Sequence, residues 1–472
     1  MKWYDYITIN INYLGLSALS NTMAPLVIPL LVQQFVGKEQ QGTYYGTLRL
    51  WGLMVALLAQ AFWGMLSDRH TSWLGRRRPF IFAGTVADLV FISVIGFCAG
   101  MEGMTGFVVL FGAYLLLQVS TNAAHSAQQA LIPDLVPSEQ RAKLSAIKAI
   151  FEVPLPVVLV AFTAGRLIAA KNMWGALSAL AITLGLCMAL AMFVREQPLR
   201  EKPAPLDWSP LVRLVAMTAL FTLIILGLGE SVKLFAAALT GIRDIPILLG
   251  LLGGAGLLAM GLAVALGVWL NVRLAIGSHP AFTWWVINRL AFFVGAFNLS
   301  SFAIYFLQAR FGFDQEKAAG PASTMLYVVG GLVFVFAIVS GVVSEKVGHK
   351  RVIALAGLLA ALGTLVTILA PDLTLVYVGS AIIGAAIGMF YTANWALGTQ
   401  LVPAAEAGRY LGISNLAGAG AGAIGAYIGG PIADFFTVRA PQTPGLGYVL
   451  LFAIYGVLFL LSVVALVRVN PA

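Results

Sequence analysis

Stretches of about twenty apolar residues recur from one end of this 472-residue chain to the other, and each is long enough as a helix to cross a hydrocarbon layer of ~30 Å. In lipid, a spanning segment must satisfy its own backbone N–H and C=O groups, so such runs fold as helices and the expected class is an all-α membrane protein. The composition agrees, with 60% hydrophobic and only 10% charged residues, against roughly a quarter charged in a water-soluble domain. The formal charge of +9 is spread in short clusters between apolar runs. It reads as the positive-inside bias of cytoplasmic loops, and no nucleic-acid partner is expected. Cys98 and Cys187 lie inside apolar runs and suggest no disulfide framework. The first run carries Asn10, Asn12 and Asn21 and no small-residue cleavage site, so it reads as a retained span.

Six spans are expected first, at about 6–32, 43–66, 79–99, 106–132, 142–169 and 173–194. Arg76, Arg77 and Arg78 follow the second, Arg141 and Lys143 the fourth, and Arg195, Arg200 and Lys202 the sixth. These alternate loops share one side, which places both termini in the cytoplasm of a multi-pass protein of the cell (inner) membrane. A proline-rich, charged stretch at 195–210 reads as a cytoplasmic linker. Runs at 211–239 and 246–270 then form a hairpin within an inserted segment, 211–280. Six more spans follow, at 282–309, 321–344, 352–370, 374–400, 408–436 and 446–468. The expected organisation is an N-terminal six-helix bundle (1–194), the linker, the inserted hairpin and a C-terminal six-helix bundle (281–472), with 14 transmembrane helices in all.

The two sets of six repeat each other. Gly64, Asp68, Arg69, Gly75, Arg76, Arg77 and Arg78 follow the second span of the first set, and Gly341, Glu345, Lys346, Gly348, His349, Lys350 and Arg351 follow the second span of the second. A further echo joins Leu135-Val136-Pro137, Glu139 and Arg141 to Leu401-Val402-Pro403, Glu406 and Arg409. Duplicated halves are how many transporters build a site at a repeat interface. The Gly64 to Arg78 signature resembles the loop between the second and third helices of the major facilitator superfamily. The resemblance implies two six-helix bundles and a cytoplasmic latch, here Gly64, Asp68, Arg69, Gly75, Arg76 and Arg77 with Glu345, Lys350 and Arg351 as repeat partners. The plainer reading of the arginines is that they fix topology and touch lipid head groups.

Within that superfamily, Leu66-Ser67-Asp68-Arg69 through Gly75-Arg76-Arg77-Arg78-Pro79-Phe80-Ile81 is similar to the sucrose and glycoside–cation symporter branch. Leu117-Gln118-Val119-Ser120-Thr121-Asn122, with Asp134-Leu135, lies along the branch's fourth-helix pattern. The branch's proton-coupling aspartate is replaced here by Gln118 and its arginine by Gln129, so sucrose specificity and the proton site do not carry over.

Charge inside a bilayer costs a few kcal/mol even on lenient scales. Glu152 sits roughly 16 Å and Asp88 roughly 13 Å into their spans by helix rise. They are the candidate proton-coupling acids, with structural hydrogen bonding the alternative for each. Gln118, Asn122, His125 and Gln129 share one face of the fourth span by their spacing, and the repeat aligns Tyr391, Asn394 and Trp395 with His125, Gln128 and Gln129. Amides and aromatic rings suit a sugar's hydroxyls and C–H faces, while interhelical amide bonding is the competing reading. Asn21, Asn298 and Tyr305 complete the candidate substrate-binding set. Arg49 and Arg289 lie near span ends, where they snorkel, or Arg289 joins Asn288 in a gate; Glu230 and Lys233 are expected to neutralise one another.

No phosphate loop, HExxH or paired CxxC occurs, and the four histidines fall in four segments, so no cofactor, metal or enzymatic activity is expected. The glycines at 418–430 suit close helix packing. The expected function is secondary transport of a neutral sugar or glycoside by alternating access, coupled to a proton or other cation. The expected partners are the lipid bilayer and a small-molecule substrate, with a lipid or membrane-protein contact through residues 211–270. Two rivals stay open. The 14-span count and sparse charge favour an exporter of amphiphilic compounds or lipids, and Gln118 in place of an acid favours a non-transporting assembly or scaffold protein.

Overall fold

The computed structural model describes residues 3–196, 207–402 and 407–469. Arg200 and Lys202 of the linker, Pro403 and Glu406 of the second repeat landmark, and the Arg409 side chain lie outside the described residues. Nineteen α-helices run in chain order among the described residues. They are α1 (Trp3–Thr8), α2 (Ile11–Thr22), α3 (Ile28–Val36), α4 (Gln41–Ser67), α5 (Arg78–Cys98), α6 (Gly103–Leu135), α7 (Ser138–Glu152), α8 (Pro154–Phe162), α9 (Ala164–Ala169) and α10 (Met173–Ala191). Next come α11 (Ser209–Ala238), α12 (Ile245–Ile276), α13 (Pro280–Ser301), α14 (Ala303–Phe311), α15 (Ala319–Val347), α16 (His349–Leu369), α17 (Leu373–Leu401), α18 (Ala407–Arg439) and α19 (Leu446–Val467). Thirteen helical stretches are long and apolar enough to cross a membrane, and the bent pair α13 and α14 makes a fourteenth.

Several spans are interrupted, each for a local reason. The first runs from Tyr4 to Val36 through a π-turn at Met23–Val27 that contains Pro25, a residue that cannot donate to the preceding turn. The fifth is divided into α7, α8 and α9 at Val153 and Thr163. Pro154 and Pro156 account for the first break; at the second, the Thr163 hydroxyl donates to the Leu159 carbonyl at 2.6 Å, back-bonding that bends helices. Ser301 bonds the Phe297 carbonyl at 2.9 Å in the same way, next to the 55° bend at Phe302.

The chain forms two compact units. One comprises Met1–Phe35 with Val55–Val215, the other Val36–Met54 with Ala216–Ala472. The division runs through α4, whose first half belongs with the second unit. There the Asp434 carboxylate accepts the Gly42 N–H at 2.8 Å and the Thr43 N–H at 2.7 Å, satisfying two donors that a helix start leaves open. The same unit holds an aromatic core. Phe292 stacks on Phe390 at 3.7 Å, Tyr45 meets Phe302 and Tyr305 edge to face, and Tyr448 lies tilted against Phe302 and Tyr305.

From Ala216 onward the hairpin α11–α12 belongs to this second unit. Phe221 fills the space left by Gly267 and Gly420, and Tyr427 that left by Gly229. The Glu230–Lys233 pair forms at 2.6 Å and gains a partner unseen in the sequence pattern, the Tyr427 hydroxyl, which donates to Glu230 at 2.6 Å.

Candidate functional site

The charged loop after α4 builds around Arg77. Gly75 adopts φ +104°, which favours a residue without a Cβ, and a side chain there would collide with the Glu196 carboxylate. The turn delivers Arg77 to the start of α5, where its side chain is only 4% exposed. Its guanidinium pairs with Asp68, donates through Nε to Asp134 at 2.8 Å and through Nη1 to the Ser67 hydroxyl at 2.7 Å. Arg76 joins Asp134 at 2.6 Å. Glu196 accepts the Arg77 backbone N–H at 2.8 Å and that of Arg78 at 3.1 Å, capping α5. Arg69 stands near Asp207, whose carboxyl is held below its ordinary range chiefly by the Ser209 hydroxyl and N–H and in smaller part by that arginine. Asp134 and Glu196 are the members that the sequence-based latch lacks. The position of Asp134 beside the Leu135-Val136-Pro137 landmark is the signal that marks it.

The equivalent loop of the second repeat is built differently. Gly348 again adopts positive φ, +95°, but Glu345 and Arg351 are exposed. Neither belongs to an ion pair among the described residues. Lys350 is half-buried at the start of α16.

α6 carries the four polar residues expected to share one face. Gln118, Asn122 and His125 are part-exposed and Gln129 exposed, while Ser120, Thr121, Ala123, Ala124, Ala127 and Gln128 between them are buried. The structure groups these four in two pairs. Asn122 donates to the Gln118 carbonyl at 2.8 Å, and Gln118 to the Tyr114 hydroxyl at 3.3 Å. His125 lies 3.1 Å from Gln129, which accepts from Gln60 at 3.4 Å. Tyr13 stands edge-on to His125 at 6.1 Å, and the Lys148 ammonium lies 4.7 Å from the centre of the Tyr13 ring. Lys148 in turn pairs with Glu152 at 3.5 Å. Thus Glu152, at the break of the fifth span, is tied to the same cluster as His125. Asp88 is not: it is fully buried between α5 and α6, where the Ser120 and Thr121 hydroxyls donate to one oxygen, the latter at 2.8 Å.

In the second unit Asn394 is the hub. It donates to the Asn288 carboxamide oxygen at 2.9 Å and accepts from Arg289 Nη1 at 2.9 Å, while its carbonyl takes the Trp285 indole N–H at 3.0 Å. Asn288 donates onward to the Ser462 carbonyl at 2.8 Å. The Arg289 guanidinium lies 4.8, 5.4 and 5.7 Å from the ring centres of Phe293, Trp395 and Trp285. The snorkelling expected of Arg289 is therefore corrected. Nine residues into α13, roughly 13 Å from its start, it points at α17 and is 7% exposed. Tyr391, 5.2 Å from Phe293, and Trp395 border it and are both 43% exposed.

Three candidates fall elsewhere. Asn298 is fully buried and donates to the Val294 and Ala421 carbonyls at 2.9 and 3.1 Å. Tyr305 is sealed in the aromatic core of the second unit, and Asn21 bonds the Ser17 carbonyl one turn back at 2.8 Å. In this conformation the first two serve helix packing, since neither has surface to offer a solute.

Against known proteins, the family described as Major Facilitator Superfamily matches residues 13–426 and 285–472. Among curated proteins, Sucrose transport protein SUC3 of Arabidopsis thaliana is 31% identical over 114 residues, 21% of this chain and 19% of that protein. Sucrose transport protein SUC4 of the same plant is 34% identical over 102 residues, 20% of each. The match thus spans about a fifth of the length of these relatives. Among solved structures, the D-xylose-proton symporter superimposes with a TM-score of 0.64 at 15% identity, covering 98% of this chain and 97% of that one. A mutant of the nucleoside transporter NupG gives 0.64 at 13% identity, covering 98% and 99%. At these identities the superpositions establish the fold.

Proposed function

We propose that this chain, which belongs to the Major Facilitator Superfamily, is a transporter that moves a sugar or glycoside by alternating access, with proton coupling through Glu152. The observation that carries the reading is the accessible polar face of α6, Gln118, Asn122, His125 and Gln129. The aromatic and amide residues of α17, its repeat counterpart, support the same substrate class. Amides and imidazole satisfy hydroxyls without demanding a charge, and the rings of Tyr391 and Trp395 offer faces for C–H contact. The similarity to sucrose transport proteins supports the same substrate class.

Glu152 fits a coupling role through its partner. While ionised it holds Lys148 at 3.5 Å; once protonated it releases that ammonium, which stands against the Tyr13 ring beside His125. One proton would thereby change the charge at the edge of the polar face. The Arg77 cluster serves as the latch on the arginine-rich side, which the positive-inside bias assigns to the cytoplasm of the cell membrane.

Uptake into proteoliposomes tests both parts. A proton gradient should drive accumulation of labelled sucrose, whereas efflux of an amphiphilic dye should not respond; dye efflux without sugar flux would replace this reading with that of an exporter. Glu152→Gln should abolish gradient-driven accumulation and leave counterflow exchange intact, and undiminished accumulation would eliminate Glu152 as the coupling group.

A further inference from the structure

Arg289 differs from Arg77, the other well-buried arginine among the described residues. Arg77 neutralises itself against Asp68 and Asp134. Arg289, nearly as buried, has no carboxylate among the described residues within ion-pair distance. A guanidinium carries five N–H donors, and Asn394 accepts from one of them. Its Nε is buried without any acceptor among the described residues. The three rings around it offset part of the charge. They cannot accept hydrogen bonds as a carboxylate does, so a desolvated cation stays unneutralised at a depth where that is costly.

The surroundings hold the group in one pose. Asn394 is itself held by Asn288, and Asn288 by the Ser462 carbonyl. The Trp285 ring that flanks the guanidinium occupies the space where Gly398 lacks a side chain. A fork fixed in this way, with donors unspent and half-exposed rings at its border, is pre-organised for two anionic oxygens.

We infer that Arg289 is the anion receptor of the transport site and that the solute carries a negatively charged group, a carboxylate or a sulfate or phosphate ester, on its polyhydroxylated frame. The inference rests on the sugar-transport reading and changes the charge of its substrate. Within the second unit, Tyr391 and Trp395 border the guanidinium and take the C–H face of the solute, and Arg289 supplies the positive charge. Neutral sugars bind without that anchor and so more weakly.

The test uses the full chain in detergent, with glucuronate, glucose 6-phosphate, glucose and inorganic phosphate as probes. Melting shifts and titration calorimetry should show the two charged sugars binding more tightly than glucose. Arg289→Gln should weaken charged-sugar binding roughly 10- to 100-fold, the cost of a charge-assisted pair, and weaken glucose by less, so that the preference for charged sugars falls. Arg289→Lys, which keeps the charge and loses the fork, should recover part of the loss and also shows that the site tolerates substitution. Charged sugars no better than glucose, an unchanged preference in Arg289→Gln, or an equal response to inorganic phosphate alone would each overturn the inference. Sucrose uptake separates this failure from that of the underlying reading: uptake equal in wild type and Arg289→Gln leaves a transporter of neutral sugars, whereas no flux of any sugar removes the reading itself.

Discussion

The loops after the second span of each repeat share a signature, glycine, acid, base, glycine and a basic run, yet only the first is a closed ionic network among the described residues. Arg77 is buried against Asp68, Asp134 and Ser67, with Glu196 over its backbone; in the second loop Glu345 and Arg351 stand in the open. The difference lies outside the signature. Counting back from Leu135-Val136 and Leu401-Val402, the position of Asp134 in the first repeat is held by Gln400 in the second. An uncharged amide cannot replace a carboxylate that serves two arginines. A repeated motif therefore supplies half of an ionic network, and the residue at the end of the fourth span supplies or withholds the other half.

The largest effect should come from removing the centre of the network. Arg77→Gln leaves Asp134 with Arg76 alone and should destabilise the protein by about 3 kcal/mol or more, as loss of one partner from a buried pair does. Glu345→Gln, at the matched acidic position of the second loop, should fall within about 0.5 kcal/mol of wild type. Parallel denaturant unfolding in detergent checks the contrast, and comparable losses in the two variants would show that the loops are equivalent in energy despite their geometry.

A second comparison isolates the contribution of Glu196. Gly75 and Gly348 both adopt positive φ, so alanine at either position strains the backbone by about 1–3 kcal/mol. At Gly348 a Cβ meets nothing within 4 Å, whereas at Gly75 it runs into Glu196. Gly75→Ala should exceed Gly348→Ala by roughly 1 kcal/mol, the usual cost of losing a helix cap. That excess should vanish when Glu196 is already alanine, the coupling that a double-mutant cycle reads.

How far the sequence reaches follows the same physics. Spans are dictated by lipid, which leaves the backbone no option but a helix of fixed minimum length, so run length alone locates all fourteen, the bent pair included. The breaks are partly legible. Pro154 announces one, but Thr163 and Ser301 bend their helices by a hydroxyl bond to the preceding turn, which serines and threonines in other spans make without bending. Partners distant in the chain are barely legible, and of those found here only Asp134 is marked, by the landmark beside it. Arg77 lies 57 residues from Asp134 and 119 from Glu196, and Arg289 lies 105 from Asn394. A buried arginine near a span end looks the same in sequence whether it turns outward to head groups or inward to an asparagine.

The smallest effect tests whether the missing partner is sufficient. Gln400 is exposed at the end of α17, so Gln400→Asp restores a carboxylate where the first repeat has one and leaves the rest of the second loop unchanged. A new pair with Lys350 or Arg351 there would be solvent-screened and should add only about 0.2–0.5 kcal/mol. Its functional effect should be of the same size, because an ionic network at the second repeat would favour the state in which that side is shut and slow exchange about twofold, as ~0.4 kcal/mol implies. Counterflow rates of Gln400→Asp and the neutral control Gln400→Asn decide the matter: slowing in the aspartate variant alone shows that one carboxylate separates an open loop from a latch, and equal rates show that the loop between Glu345 and His349 also has to change.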